Sequence, residues 1–143
     1  MMTQTRRFSL CSMFTALLLS PLASADILID DPYVREPVPG RNMSAAFMSV
    51  RNTAAEDAVL VSASAPWAGK IEIHTHRHED GVMKMRRIES LTIPAGGQVL
   101  LKPMGLHLML FRLQQPLADS LPLTLCFASG ACVDTVAELR KPQ

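Results

Sequence analysis

The apolar stretches of this chain are short, alternate with polar residues and end on turn residues, and that pattern restricts the fold more than any other feature. They fall at residues 45–50, 59–61, 70–76, 82–87, 90–93, 99–101, 106–111, 121–127 and 131–138. About eight to ten strands of roughly 4 to 8 residues at such spacing predict an all-β chain, an antiparallel sandwich or barrel. No segment sustains a 3.6-residue apolar period, so long helices are not expected.

The chain's beginning is read apart from the fold. Arg6 and Arg7 precede an apolar stretch at 13–19, and Ala23-Ser24-Ala25 follows as a small-x-small cleavage pattern. Residues 1–25 therefore read as a signal peptide cut after Ala25, which places residues 26–143 outside the cytoplasm. The apolar run is far below the roughly 20 residues that span a bilayer, and no later stretch reaches that length, so no membrane insertion is expected. Pro and Gly are scattered instead of marking a linker, and nothing repeats, so 26–143 reads as one domain. With 14 basic and 13 acidic residues in the whole chain, there is no charge excess to attract nucleic acid or an anionic membrane surface. Two cysteines lie beyond residue 25, Cys126 and Cys132, flanking the turn signal Ser129-Gly130. In an oxidising compartment they read as a structural bridge or two inert thiols, with a redox or metal role as the alternative.

Two of the stretches carry chemistry on one face. In Ile71-Glu72-Ile73-His74-Thr75-His76-Arg77-His78, a period of two puts the isoleucines on one side and the three histidines on the other. In Leu106-His107-Leu108-Met109-Leu110, the leucines face the core and His107 shares the opposite face with Met109. Asp80-Gly81 between the first stretch and the next is a strong hairpin signal. With those two as the central turn residues, His78 opposes Met83, His76 opposes Met85, and His74 lies diagonal to Met85. Diagonal neighbours are about 7 to 8 Å apart, so this geometry leaves His74 and His76 as competing partners for Met85.

All four histidines lie between His74 and His107, and Met83, Met85, Met104 and Met109 fall in the same region. Methionine is a common core filler, but here the thioethers share a face with imidazoles while leucines supply the core. Thioether with imidazole suits copper(I) better than zinc, calcium or magnesium. Glu72, Glu79 and Asp80 are nearby, but a hard-cation site needs several converging oxygens and no methionine.

The intervals from His74 to Met85, His107 and Met109 follow the pattern H-x10-M-x21-H-x-M, and the chain resembles the periplasmic copper chaperones of the PCu(A)C type. The flanks resemble that family too: Ala45-Ala46-Phe47, Ile71-Glu72-Ile73-His74, Asp80-Gly81-Val82-Met83-Lys84-Met85, Ile93-Pro94-Ala95-Gly96-Gly97, and Gly105-Leu106-His107-Leu108-Met109. The resemblance implies a cupredoxin-like, antiparallel Greek-key sandwich, a carrier and not an enzyme, that holds one Cu(I) per chain through His74, Met85, His107 and Met109. It implies a periplasmic monomer that passes copper to acceptors such as the copper centre of cytochrome c oxidase or its assembly factors. His76 and His78 are left for a supporting role beside the ion or weak Cu(II) capture. One departure stands out: Met104 occupies a turn position where the family usually has glycine. Three rivals remain: a cupredoxin-like electron carrier, which needs a His2Cys site; a metal-free interaction module with core methionines; and a thiol-disulfide enzyme using Cys126 and Cys132.

Overall fold

The computed structural model describes residues 26–142; the expected signal peptide and its cleavage point at Ala25 lie outside them. Ten strands follow one another: β1 (Ile27–Arg35), β2 (Met43–Asn52), β3 (Ala58–Ser64), β4 (Ala68–Glu79), β5 (Val82–Ile88), β6 (Leu91–Ile93), β7 (Gln98–Leu101), β8 (His107–Leu113), β9 (Ser120–Phe127) and β10 (Cys132–Arg140). Among the described residues no helix is long and apolar enough to cross a membrane. The all-β class expected from the short alternating runs is the one observed.

Alternation explains the strands. In β9, Leu121, Leu123, Leu125 and Phe127 are buried and the residues between them point outward, the period of a strand with one face on a core. Hydrogen-bonded neighbours run β5-β4-β8-β2-β1-β10-β9-β3-β6, with β7 paired to β2 off this path. The ladder turns back on itself at β2, whose first half pairs with β8 and second half with β7. One core then takes Ile73, Leu108 and Leu110 from β4 and β8, Val34, Met48 and Val50 from β1 and β2, and the leucines of β9. Buried Asn52 closes this end of β2: its Nδ2 donates to the carbonyls of Glu56 (2.8 Å) and Ile93 (3.2 Å), and its Oδ1 accepts from the Ala54 N–H (3.0 Å).

Two features differ from the expectation. The apolar runs do not predict β1, because Asp30-Asp31-Pro32 interrupts it. There the register with β2 shifts between Asp30 and Tyr33, with Asp31 in the left-handed region (φ 50°), and a bulge of this kind breaks the alternation. The sheet is also not wholly antiparallel, since Tyr33–Arg35 of β1 runs parallel to Glu138–Arg140 of β10. Arg140 bonds Asp31 and Glu138 across and along this seam.

Cys126 and Cys132 face each other in the β9–β10 register and form a disulfide, with Cα atoms 4.1 Å apart. Of the alternatives open from sequence, the bridge is the one found.

Candidate metal centre

The β4–β5 hairpin sets the first half of the site. Asp80 (φ 53°) and Gly81 (φ 75°) are its two turn residues, the conformation a type I′ turn requires. The pairing is therefore Glu79↔Val82, His78↔Met83 and His76↔Met85, the register expected from Asp80-Gly81. β8 supplies the second half: it lies between β4 and β2, pairing His107 with His74, Met109 with Glu72 on one side, and Met109 with Ala45 on the other. Residues paired across a ladder project on the same face. His74, His76, Met85, His107 and Met109 thus stand on one surface of the sheet, with the leucines of β8 on the other.

On that surface lies a groove of about 370 Å³ whose walls include His76, Met85, His107 and Met109. Met43, Met104, Phe47, Arg35 and Glu36 are among its other walls. His74 is not among the walls; its ring centre lies 5.7 Å from that of His107, and His76 is 5.3 Å from His107. By analogy with zinc–imidazole bonds of about 2.0 to 2.1 Å, an ion sits about 3 Å from a ligand ring's centre, so either separation suits two rings sharing one ion. His78 is exposed and is not a wall of the groove.

The polar contacts orient two of the imidazoles. His74 Nε2 bonds Glu72 Oε2 at 2.8 Å. Glu72 is also bonded by Lys70 and approached by Arg87, and Lys70 first, then His74, hold its carboxyl down to about 2. An ionised Glu72 accepts from Nε2–H and leaves Nδ1 of the neutral ring with its lone pair. That Nδ1 is buried with no hydrogen-bond partner among the described residues. Buried nitrogens nearly always have a partner, and a histidine whose other nitrogen donates to a carboxylate is the usual arrangement of a metal ligand. His107, only 3% exposed, donates from Nδ1 to the Gly105 carbonyl at 3.0 Å. Burial lowers its pKa below the usual histidine range, against the opposing pull of that bond, which favours the neutral ring a metal needs. Phe47 packs near His107 and Phe111 near His74, with ring centres 6.3 and 6.2 Å apart.

Among the described residues no group of three or more His, Cys, Asp and Glu side chains is placed to hold a metal. The donors that do converge are imidazole and thioether, a set fitted to a soft monovalent ion and poor for a hard one. Sequence reasoning took Glu72 only as a nearby carboxylate and did not single out Met43, Phe47 or Arg35. Met43, Ala45 and Phe47 alternate at the start of β2, which was the available signal, but nothing local indicates that β2 lies beside β8.

Comparison with known proteins adds family and fold. Residues 27–138 match the family described as "Putative lipoprotein LpqE-like". The chain is similar to "Putative lipoprotein Lxx21020" of Leifsonia xyli subsp. xyli, 35% identical over 95 residues, which cover 64% of this chain and 57% of that protein. The chain thus spans little more than half the length of this relative. Among solved structures it is similar to the Cu(I) form of DR1885 from Deinococcus radiodurans, at 29% identity and TM-score 0.65 over 82% of this chain and 83% of that one. It is also similar to the copper-bound PCuAC domain from PmoF2, at 21% identity and TM-score 0.70 over 84% of this chain and 97% of that one, a likeness of fold alone. The match from Ile27 to Glu138 makes this chain a member of the LpqE-like family, built on the cupredoxin-like sandwich of the PCuAC domains.

Proposed function

We propose that this protein is a periplasmic copper carrier that holds one Cu(I) through His74, Met85, His107 and Met109 and gives it up by ligand exchange. The observation that carries the reading is the buried, unpartnered Nδ1 of His74, on a ring held by Glu72 and paired across the ladder with His107. The thioethers of Met85 and Met109 line the adjoining groove. The likeness to DR1885, solved with Cu(I) at 29% identity, supports the choice of ion. The lipoprotein descriptions of the family and of the relative support export.

Two imidazoles and two thioethers are neutral, so the loaded site keeps the positive charge of Cu(I). An acceptor offering thiolates binds that ion more strongly and can displace the donors one at a time. Such acceptors include the copper centre of cytochrome c oxidase or the proteins that assemble it. This chain's residues hold, orient and release the ion; we assign no catalytic step to them. The rival electron-carrier reading needs a cysteine thiolate beside two histidines, and Cys126 and Cys132 are bonded to each other.

Anaerobic Cu(I) titration of residues 26–143, followed by X-ray absorption at the copper edge, tests the reading. One ion with nitrogen and sulfur neighbours is expected. A sulfur-free shell, or no binding, overturns it.

A further inference from the structure

Met104 is 66% exposed, and its backbone adopts φ 63°, a conformation in which an L side chain crowds its own carbonyl and which glycine takes freely. Its turn is closed by backbone bonds, Lys102 N–H to Leu106 O at 2.8 Å and Gly105 N–H to Lys102 O at 3.1 Å. Met104 lines the groove that Met85, His76 and His107 also line. Neither solvent exposure nor backbone conformation favours methionine there, while the groove it lines is already furnished with soft donors.

His76 is tied to the same turn. Its Nδ1 bonds the carbonyl of Gly105, the residue after Met104, at 3.3 Å, and its Nε2 makes no hydrogen bond among the described residues. Across the β4–β5 ladder it faces Met85 directly, at the distance of a cross-strand side-chain pair. The imidazole of His76 and the thioethers of Met85 and Met104 thus line one groove, of which His74 is not a wall. The inner and outer sets approach each other through His76 and His107, whose ring centres are 5.3 Å apart.

We propose that His76, Met85 and Met104 form an outer position for a soft monovalent cation, Cu(I) or Ag(I), at which the ion is captured before it passes to His74, His107 and Met109. The inference rests on the inner site proposed above. Met85 belongs to both positions, so the ion keeps one sulfur bond while the imidazoles of His74 and His107 replace that of His76, Met109 replaces Met104, and the coordination number rises from three to four. No electron or proton is exchanged in this step. Cations that prefer oxygen ligands find no anchor among these donors.

Ag(I), a redox-inert soft cation, is the probe, added to residues 26–143 carrying methyl-13C methionine. In the wild type one equivalent moves the Met109 methyl signal; if it does not, the inner site fails and the outer one with it. In the His107→Ala/Met109→Ala variant, Ag(I) binds more weakly than to the wild type and moves the Met104 and Met85 signals. Adding Met104→Leu, which keeps the apolar volume and removes the sulfur, abolishes that binding. A silent Met104 methyl in the double variant, alongside a responsive Met109 in the wild type, overturns the outer position alone. Should the double variant fail to fold, Met104→Leu in the wild-type background decides: loading from a weak silver chelate slows severalfold, and a rate equal to wild type overturns the proposal.

Discussion

At the scale of single residues, the proposed site depends on side chains outside its ligand set. Glu72 accepts from His74 Nε2 and so selects which nitrogen of that ring is free. Glu72→Gln keeps the size but loses the charge that fixes this arrangement. It is expected to weaken Cu(I) binding about 10- to 100-fold, measured by competition with a Cu(I) chelator, with the far-ultraviolet circular dichroism unchanged. Met104 shows the opposite balance. Its left-handed backbone costs about 1 to 2 kcal/mol, and glycine gives back about 0.5 to 1 kcal/mol of that in chain entropy. Met104→Gly is therefore expected to stabilise the fold by about 0.5 to 1 kcal/mol in denaturant unfolding, the sign expected where a strained residue serves the site rather than the fold.

At the scale of elements, β8 serves core and site at once. Leu108 and Leu110 are buried in the core, and the residues alternating with them, His107 and Met109, are walls of the groove. A one-residue slip of β8 would exchange the two sets, so its pairing with both β4 and β2 fixes the site as well as the sheet. The β4–β5 register is equally strict, and Gly81 at φ 75° allows it; a Cβ there would meet nothing within 4 Å, so the need for glycine is conformational. The β9–β10 hairpin is held differently, by a disulfide spanning 6 residues. A loop this short contributes about 2 kcal/mol through restriction of the unfolded chain. Cys126→Ser/Cys132→Ser is expected to lower unfolding stability by about that amount. The copper shell seen by X-ray absorption should not change, since β9 lies four pairings from β8 along the ladder.

At the scale of the whole molecule, the proposed metal binding would be linked to folding. The proposed donors come from the β4–β5 hairpin and from β8, which lies some twenty residues further along the chain and is aligned with β4 only in the folded sheet, so an ion held by all of them would bind the native state preferentially. At a free-ion concentration 100 times the dissociation constant, this preference adds about 2.7 kcal/mol to unfolding stability. Ag(I) or Cu(I) is expected to raise the melting temperature of the wild type, and His107→Ala is expected to show little of that rise in the same scan.

The alternating runs in the sequence determined the all-β class, the Asp80-Gly81 turn and hence the His76↔Met85 pairing, because these follow from local backbone geometry and a period of two. They also placed histidine and methionine on one face. Left undecided was the neighbour of each strand. Nothing local in β8 states that His107 pairs with His74, that β2 brings Met43 and Phe47 to the groove, or that β1 bends at Asp31 to run parallel to β10. His74 and His76 show the reason most clearly. Strand geometry treated the two as equivalent and the family spacing pointed to His74, but only the tertiary structure shows their different surroundings: Glu72 engages one nitrogen of His74 and the other is buried without a partner among the described residues, while the Gly105 carbonyl bonds His76 at the wall of the groove.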